Sequence, residues 1–123
     1  MADLAHREIT EQIIGAAFEV YRHLGYGFLE KVYRKAMVVE LTLRSLKVQE
    51  HFPIKVTYKG ADVGEYEADL FVEDRVMVEL KVAKEYVSQD EPQLLNELKA
   101  TGVKIGLLIN FGKSKVEFKR FAY

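Results

Sequence analysis

The sequence predicts an α/β domain in which a mixed central sheet is flanked by helices. Three observations carry that reading. Apolar residues recur at three- and four-residue intervals through the first 43 positions, and from Phe52 to Val82 they alternate instead. A further helical stretch is then followed by a nearly continuous apolar run, VKIGLLINFG. At 123 residues the chain can bury one real core, and positions 1–123 read as a single domain with no repeat and no long linker.

Taken in order, REITEQIIGAAFEVYRHLG places Ile9, Ile13, Ala16, Ala17, Val20 and Leu24 on one helical face. Gly25 stands where a helix end favours glycine. GYGFLEKVYRKAMVVELTLRSL repeats the pattern with Leu29, Val32, Tyr33, Ala36, Val39 and Leu43 as its apolar face. HFPIKVTYKG alternates as a strand ended by Lys59-Gly60. GEYEADLFV and RVMVELKV are two further strands joined at Glu73-Asp74, with or without Arg75. DEPQLLNELKATG is a helix with Asp90 as N-cap, Pro92 in the first turn and Gly102 past the end. VKIGLLINFG fits a central strand buried on both faces, and KVEFKRF a last alternating strand.

Composition mainly excludes. With 49% hydrophobic and 30% charged residues and no low-complexity tract, the chain belongs with ordinary globular domains. The absence of Cys removes disulfides, thiolate nucleophiles and Cys-based zinc sites. The opening MADLAHREITEQ is polar and lacks a signal peptide's apolar centre. No window holds the roughly 18 apolar residues of a membrane span, so a cytoplasmic protein without membrane contact is expected.

A net charge of −1 supplies no global field toward nucleic acid. From Lys99 onward, however, Lys99, Lys104, Lys113, Lys115, Lys119 and Arg120 stand against one acid, Glu117, which makes either a basic patch or a solvated face. His6, His23 and His51 lack metal-ligand spacing and read as structural or surface residues. No Gly-rich run precedes a Lys-Ser/Thr pair, so there is no phosphate-binding loop.

The hairpin EADLFVEDRVMVELK poses the chemical question. Strict alternation puts Glu65, Glu67, Asp69 and Phe71 on one face of the first arm and Tyr66, Ala68, Leu70 and Val72 on the other. In the second arm Met77, Glu79 and Lys81 oppose Val76, Val78, Leu80 and Val82, so the apolar sets claim the core and the charges share the other side. A loop of Glu73, Asp74 and Arg75 puts Asp69 directly opposite Glu79, whereas a two-residue loop makes the pair diagonal. Carboxylates so close repel unless a cation lies between them or one is protonated. Lys81 supplies part of that charge, and a divalent ion the rest. Hard oxygen ligands select Mg²⁺ or Mn²⁺, with the Leu80 carbonyl as a third oxygen. By itself the pattern also fits surface ion pairs, with Lys81 bridging Glu79 and Asp69.

The order helix, hairpin with D…ExK, helix, strand resembles the PD-(D/E)XK nuclease superfamily. GFLEKVY, Gly27 to Tyr33, looks like the motif that names its GxxExxY family. IIGAAFEVYRHLGYGFLEKVY, VELK and KATGVKIGLLINFG extend the likeness over nearly the whole chain. The resemblance implies a restriction-endonuclease-like core with an extra N-terminal helix. It also implies a metal-dependent nuclease hydrolysing phosphodiester bonds in DNA or RNA with Mg²⁺ or Mn²⁺. Asp69 and Glu79 would bind the ion, and Lys81 would position or activate the attacking water. Glu30 would reach the metal directly or through water, and Gln93 matches the polar residue on the following helix. Tyr33, on the face of Glu30, reads as a core residue or as that acid's hydrogen-bond partner.

Two places depart from the family pattern. Ala68 replaces the proline before the acid, and Asp90 and Glu97 stand where the family often has His and Tyr. Those two acids add negative charge where a phosphate approaches. They also favour the other reading, a non-catalytic module on the same fold that binds nucleic acid or protein. So small a basic tail predicts weak, salt-sensitive binding, or help from a homodimer or larger complex.

Overall fold

In a computed structural model, the described residues are 6–123. The stretch 1–5, part of the polar opening read above, lies outside them. Two helices come first, α1 (Arg7–Leu24) and α2 (Glu30–Leu43). Gly25 ends α1 at φ 67°, its N–H donating to the Tyr21 carbonyl at 2.8 Å. Strands β1 (Val48–Tyr58) and β2 (Ala61–Val72) follow as an antiparallel pair. Lys59 and Gly60 join them at φ 49° and 84°, the positive-φ pair that suits the twist of a two-residue hairpin. The connection to β3 (Val76–Lys81) is three residues long, and Val72 pairs with Val76. Then come a single 3₁₀ turn (Ser88–Asp90), α3 (Glu91–Thr101), β4 (Ile105–Phe111) and β5 (Val116–Ala122).

The sheet runs β1-β2-β3-β4-β5, and only β3 and β4 are parallel. A parallel pair cannot be joined by a hairpin, so the chain crosses over through α3, whose Leu94 and Leu98 lie against the sheet. Two cores result. Ile13, Ala16 and Ala17 of α1 and Tyr33, Met37 and Leu41 of α2 pack on Leu70, Val78, Leu80, Leu107 and Ile109. On the opposite face, Leu94 and Leu98 pack on Ile54, Phe71, Met77, Leu108 and Phe121. Every residue of β4 is buried, as its apolar run requires. Among the described residues, no helix is long and apolar enough to cross a membrane.

Four local expectations are corrected. The face carrying the hairpin acids, read as the side opposite the core, is covered by α3 and is itself a second core. Strict alternation also fails in both outer arms. Ala68 joins the α3 core while Leu70 and Val72 join the other, and in β1 Val48 and Ile54 are divided the same way. The break falls at His51, φ 56°, and Asp69, which sit between the paired Glu50–Leu70 and Phe52–Ala68. On α2 the buried stripe is Tyr33, Met37 and Leu41, leaving Leu29, Val39 and Leu43 exposed. That helix is apolar on two sides, and contact with the sheet selects one. Finally, Asp90 occupies the N-cap position with helical φ and ψ and no side-chain capping bond, because the 3₁₀ turn already leads into α3.

Seating of α3 depends on Gly106 of β4, where an added Cβ would stand 3.1 Å from both Leu94 Cδ1 and Leu98 Cδ1. Gly106→Val should therefore overpack this interface and cost about 1–3 kcal/mol, read as a lower urea midpoint at unchanged slope.

Candidate active site

The β2–β3 ladder runs from Val72–Val76 to Leu70–Val78 and stops one pair before Asp69 and Glu79. There, side chains replace the peptide groups. The Leu80 N–H donates to Asp69 Oδ2 at 2.7 Å, and the Asp69 N–H donates to Glu79 Oε2 at 3.2 Å. Each acid thus holds the backbone of the opposite strand, and the two carboxylates meet across the hairpin. The three-residue loop gives the directly opposed register.

Burial then makes this pair costly to ionise. Glu79 is only 6% exposed, and its carboxyl is pushed up to about 10, first by desolvation and then by the charges of Asp69 and Glu97. Asp69 is raised by burial, against the opposing effects of the Leu80 N–H, Arg34, Lys81 and His51. Glu97, 1% exposed on α3, is raised by desolvation, with the neighbouring Glu79 carboxyl and Gln93 pulling the other way. Its Oε2 accepts from Gln93 Nε2 at 3.2 Å, while its Oε1 is buried with no partner. A proton shared between Glu79 and Glu97 is the arrangement this crowding favours in the absence of a cation.

The other predicted residues gather around this core. Glu30, first residue of α2, is raised by burial and by Asp69, with Lys81 and Arg34 pulling the other way. Lys81, half-buried at the end of β3, makes no ion pair among the described residues, so it does not bridge Glu79 and Asp69. Gln93 reaches the site through Glu97. Tyr33 is not the partner of Glu30. Its hydroxyl donates to the Gly25 carbonyl and its ring stacks on Phe111 at 4.5 Å.

Three residues at the site had another reading in the sequence, or, for Arg34, none. Glu97, read only as added negative charge where a phosphate approaches, sits between the core positions Leu94 and Leu98, a burial signal its spacing carried. Arg34, one turn beyond Glu30, binds Glu50 Oε2 at 2.7 Å and helps hold Asp69 down. His51, read as a structural or surface residue, flanks Asp69 and lies 3.4 Å from Glu67 Oε1. Only long-range pairing of β1 with β2 reveals that position.

Among the described residues, no three His, Cys, Asp or Glu side chains are already gathered to hold a metal. The donor set nonetheless fits a hard divalent ion. Mg²⁺ usually takes one or two carboxylates and keeps several waters, and here two opposed carboxylates lie beside a third with an orphaned buried oxygen.

A mixed sheet with a parallel β3–β4 pair joined through α3, and D…ExK on its central hairpin, defines a nuclease-type fold. Comparison with known families agrees: the model of the PD-(D/E)XK nuclease superfamily matches residues 7–121. The chain belongs to that superfamily, whose nucleases generally use divalent metals. Among solved structures, it is similar to that titled "Crystal structure of SSO0001". There the identity is 12%, the TM-score is 0.62, and 98% of this chain is covered. The chain spans 60% of that protein's length, and at this identity the likeness shows the fold alone. No curated protein matches.

The raised acids fix the sign of a pH effect. Between the unfolded carboxyl value of 4.5 and the folded value of about 10, native Glu79 binds more protons than unfolded Glu79, so stability falls as pH rises. Glu30, Asp69 and Glu97 act in the same direction. In metal-free protein at pH 8, Glu79→Gln should therefore stabilise by about 1 kcal/mol, roughly 4 °C in Tm. The slope of Tm between pH 5 and 9 should flatten, as scanning calorimetry in EDTA would register.

Proposed function

We propose that this chain is a metal-dependent nuclease hydrolysing phosphodiester bonds in DNA or RNA, and that its branch of the superfamily is the GxxExxY family. Gly27, Glu30 and Tyr33 stand at that motif's spacing. The observation carrying the reading is the locked pair of Asp69 and Glu79, each holding the other's strand, with Lys81 left without an ion pair beside them.

In this proposal Asp69 and Glu79 hold Mg²⁺ or Mn²⁺, with the Leu80 carbonyl as a further oxygen and Glu30 reaching the ion directly or through water. When bound, the ion supplies a more acidic water and polarises the phosphoryl oxygen. Lys81 positions the attacking water and offers fixed positive charge to the phosphate as negative charge builds on it. Gln93 steadies Glu97 by the hydrogen bond already described, keeping the third acid turned toward Glu79. The Asp69 strand cannot drift from the Glu79 strand without breaking both carboxylate–backbone bonds, so the two ligands stay in register. We further propose that positions 1–123 act as one cytoplasmic domain, with a homodimer or larger complex adding grip on the substrate.

Purified protein incubated with single- and double-stranded DNA and RNA plus Mg²⁺ or Mn²⁺ should cleave at least one of them. Lys81→Ala and Glu79→Ala should each lower the rate by about 10²-fold or more. Asp69→Asn should abolish Mn²⁺ binding in calorimetry. Undiminished cleavage by the Lys81→Ala, Glu79→Ala double variant would falsify this assignment.

A further inference from the structure

The six basic residues that follow residue 98 do not form one patch. Lys119 is held by Glu91 at 3.2 Å, and Lys104 lies over the Tyr123 ring. Lys99 lines a separate hollow with Val56, Thr57 and Tyr66. Lys113 and Lys115 come together, and a third lysine from far earlier in the chain, Lys84, joins them. They line an open groove of about 480 Å³ with Tyr86 and Ser114, formed by the segment after β3 and the β4–β5 turn.

We propose that this groove is a docking track for the phosphodiester backbone of a nucleic-acid strand passing into the Asp69–Glu79 site. The proposal rests on the nuclease reading and adds the surface that guides the strand.

Three observations support it. The charges are available: Lys47, Lys55 and Lys119 pair with Asp74, Asp62 and Glu91, whereas Lys84, Lys113 and Lys115 are exposed and make no ion pair among the described residues. Of the two acids lining the groove, Glu85 is exposed, while Glu117 is turned to the Tyr86 N–H at 2.8 Å and to Asn110 Nδ2 at 3.4 Å.

The walls are also fixed. The Lys113 N–H donates to the Lys84 carbonyl at 3.1 Å, and the Gly112 N–H donates to the Lys115 carbonyl at 3.0 Å. Tyr21 of α1 donates its hydroxyl proton to the Gly112 carbonyl at 2.7 Å. A Cβ on Gly112 would stand 2.7 Å from the Lys115 carbonyl oxygen, so glycine is what lets the two segments close. Lysines on a fixed frame lose less freedom when they meet a charged strand than lysines on loose loops.

Position supplies the third observation. Both walls continue the parallel β3–β4 pair, in which Lys81 sits opposite Asn110. Lys84 follows Lys81 by three residues, so their Cα atoms are at most about 11 Å apart. A strand whose phosphate lies at Lys81 would therefore find further cations within a few nucleotides.

The test uses the whole chain and a fluorescein-labelled 20-nucleotide DNA, single-stranded and as a duplex, in EDTA over 20–200 mM KCl. Anisotropy should show K113Q/K115Q weakening binding at least fivefold at 50 mM. The slope of log K against log salt should shrink by about 1.5, with a further loss on adding K84Q. The control K55Q/K59Q, on the β1–β2 hairpin, should change binding less than twofold. Retained Mn²⁺ affinity in calorimetry shows that the variants fold and keep the acid site. Equal losses in the two double variants, or none in either, overturn the groove. If the wild type shows no salt-dependent binding to either DNA, the groove falls and the nuclease reading is weakened with it. Binding that follows the groove lysines, with no cleavage under any divalent ion, upholds the track and overturns the nuclease.

Discussion

Two carboxylates stand in for two peptide groups at the end of the β2–β3 ladder, and the rest of the site depends on that exchange. An antiparallel pair normally continues by backbone hydrogen bonds. Here Asp69 accepts from Leu80, and Glu79 accepts from the Asp69 N–H. The strands remain joined, but the joint is built of acidic oxygens. Like charges then face each other in a site that burial has largely dried, and the raised carboxyls of Glu79, Asp69, Glu97 and Glu30 are the consequence. A protein that only needed a stable hairpin would be served better by two more residues of ladder. In the proposed nuclease a divalent ion would give the strain a purpose, because it would replace the shared proton with charge.

The fold supports this joint from both faces. Below it, the α1–α2 core holds Leu70, Val78 and Leu80. Above it, α3 closes over Met77 and Phe71 and brings Glu97 against Glu79. The break in alternation at His51 and Asp69 lets one pair of strands serve both cores. His51 takes φ 56°, a conformation a histidine adopts at some cost, and it does so beside the acid whose backbone N–H is used by Glu79.

Much of the site was legible in the chain. Asp69, Glu79 and Lys81 lie on adjacent arms of one hairpin, so the loop length alone sets Asp69 opposite Glu79, even though alternation breaks at Asp69. Glu30 and Gln93 entered through motif resemblance, and both lie near the acids. Of the two readings of Tyr33, the core residue holds and the bond to Glu30 does not, because its hydroxyl donates to Gly25, where α1 ends. Glu97 counts in the sequence as added negative charge on a phosphate's approach, although it lies between Leu94 and Leu98. That spacing marks its burial, and only the landing of α3 on the sheet sets it against Glu79.

Local periodicity by itself determined the element order, the positions of the turns and the identity of the central buried strand, because side-chain direction follows from φ and ψ within a few residues. Tertiary structure decided which faces are dry. It laid α3 over the acid-bearing side of the hairpin as a second core and, through contact of α2 with the sheet, selected Met37 and Leu41 over Val39 and Leu43. It also gathered Lys84 with Lys113 and Lys115. Burial and the meeting of distant charges are properties of packed elements, and desolvation acts only once those elements have closed on one another.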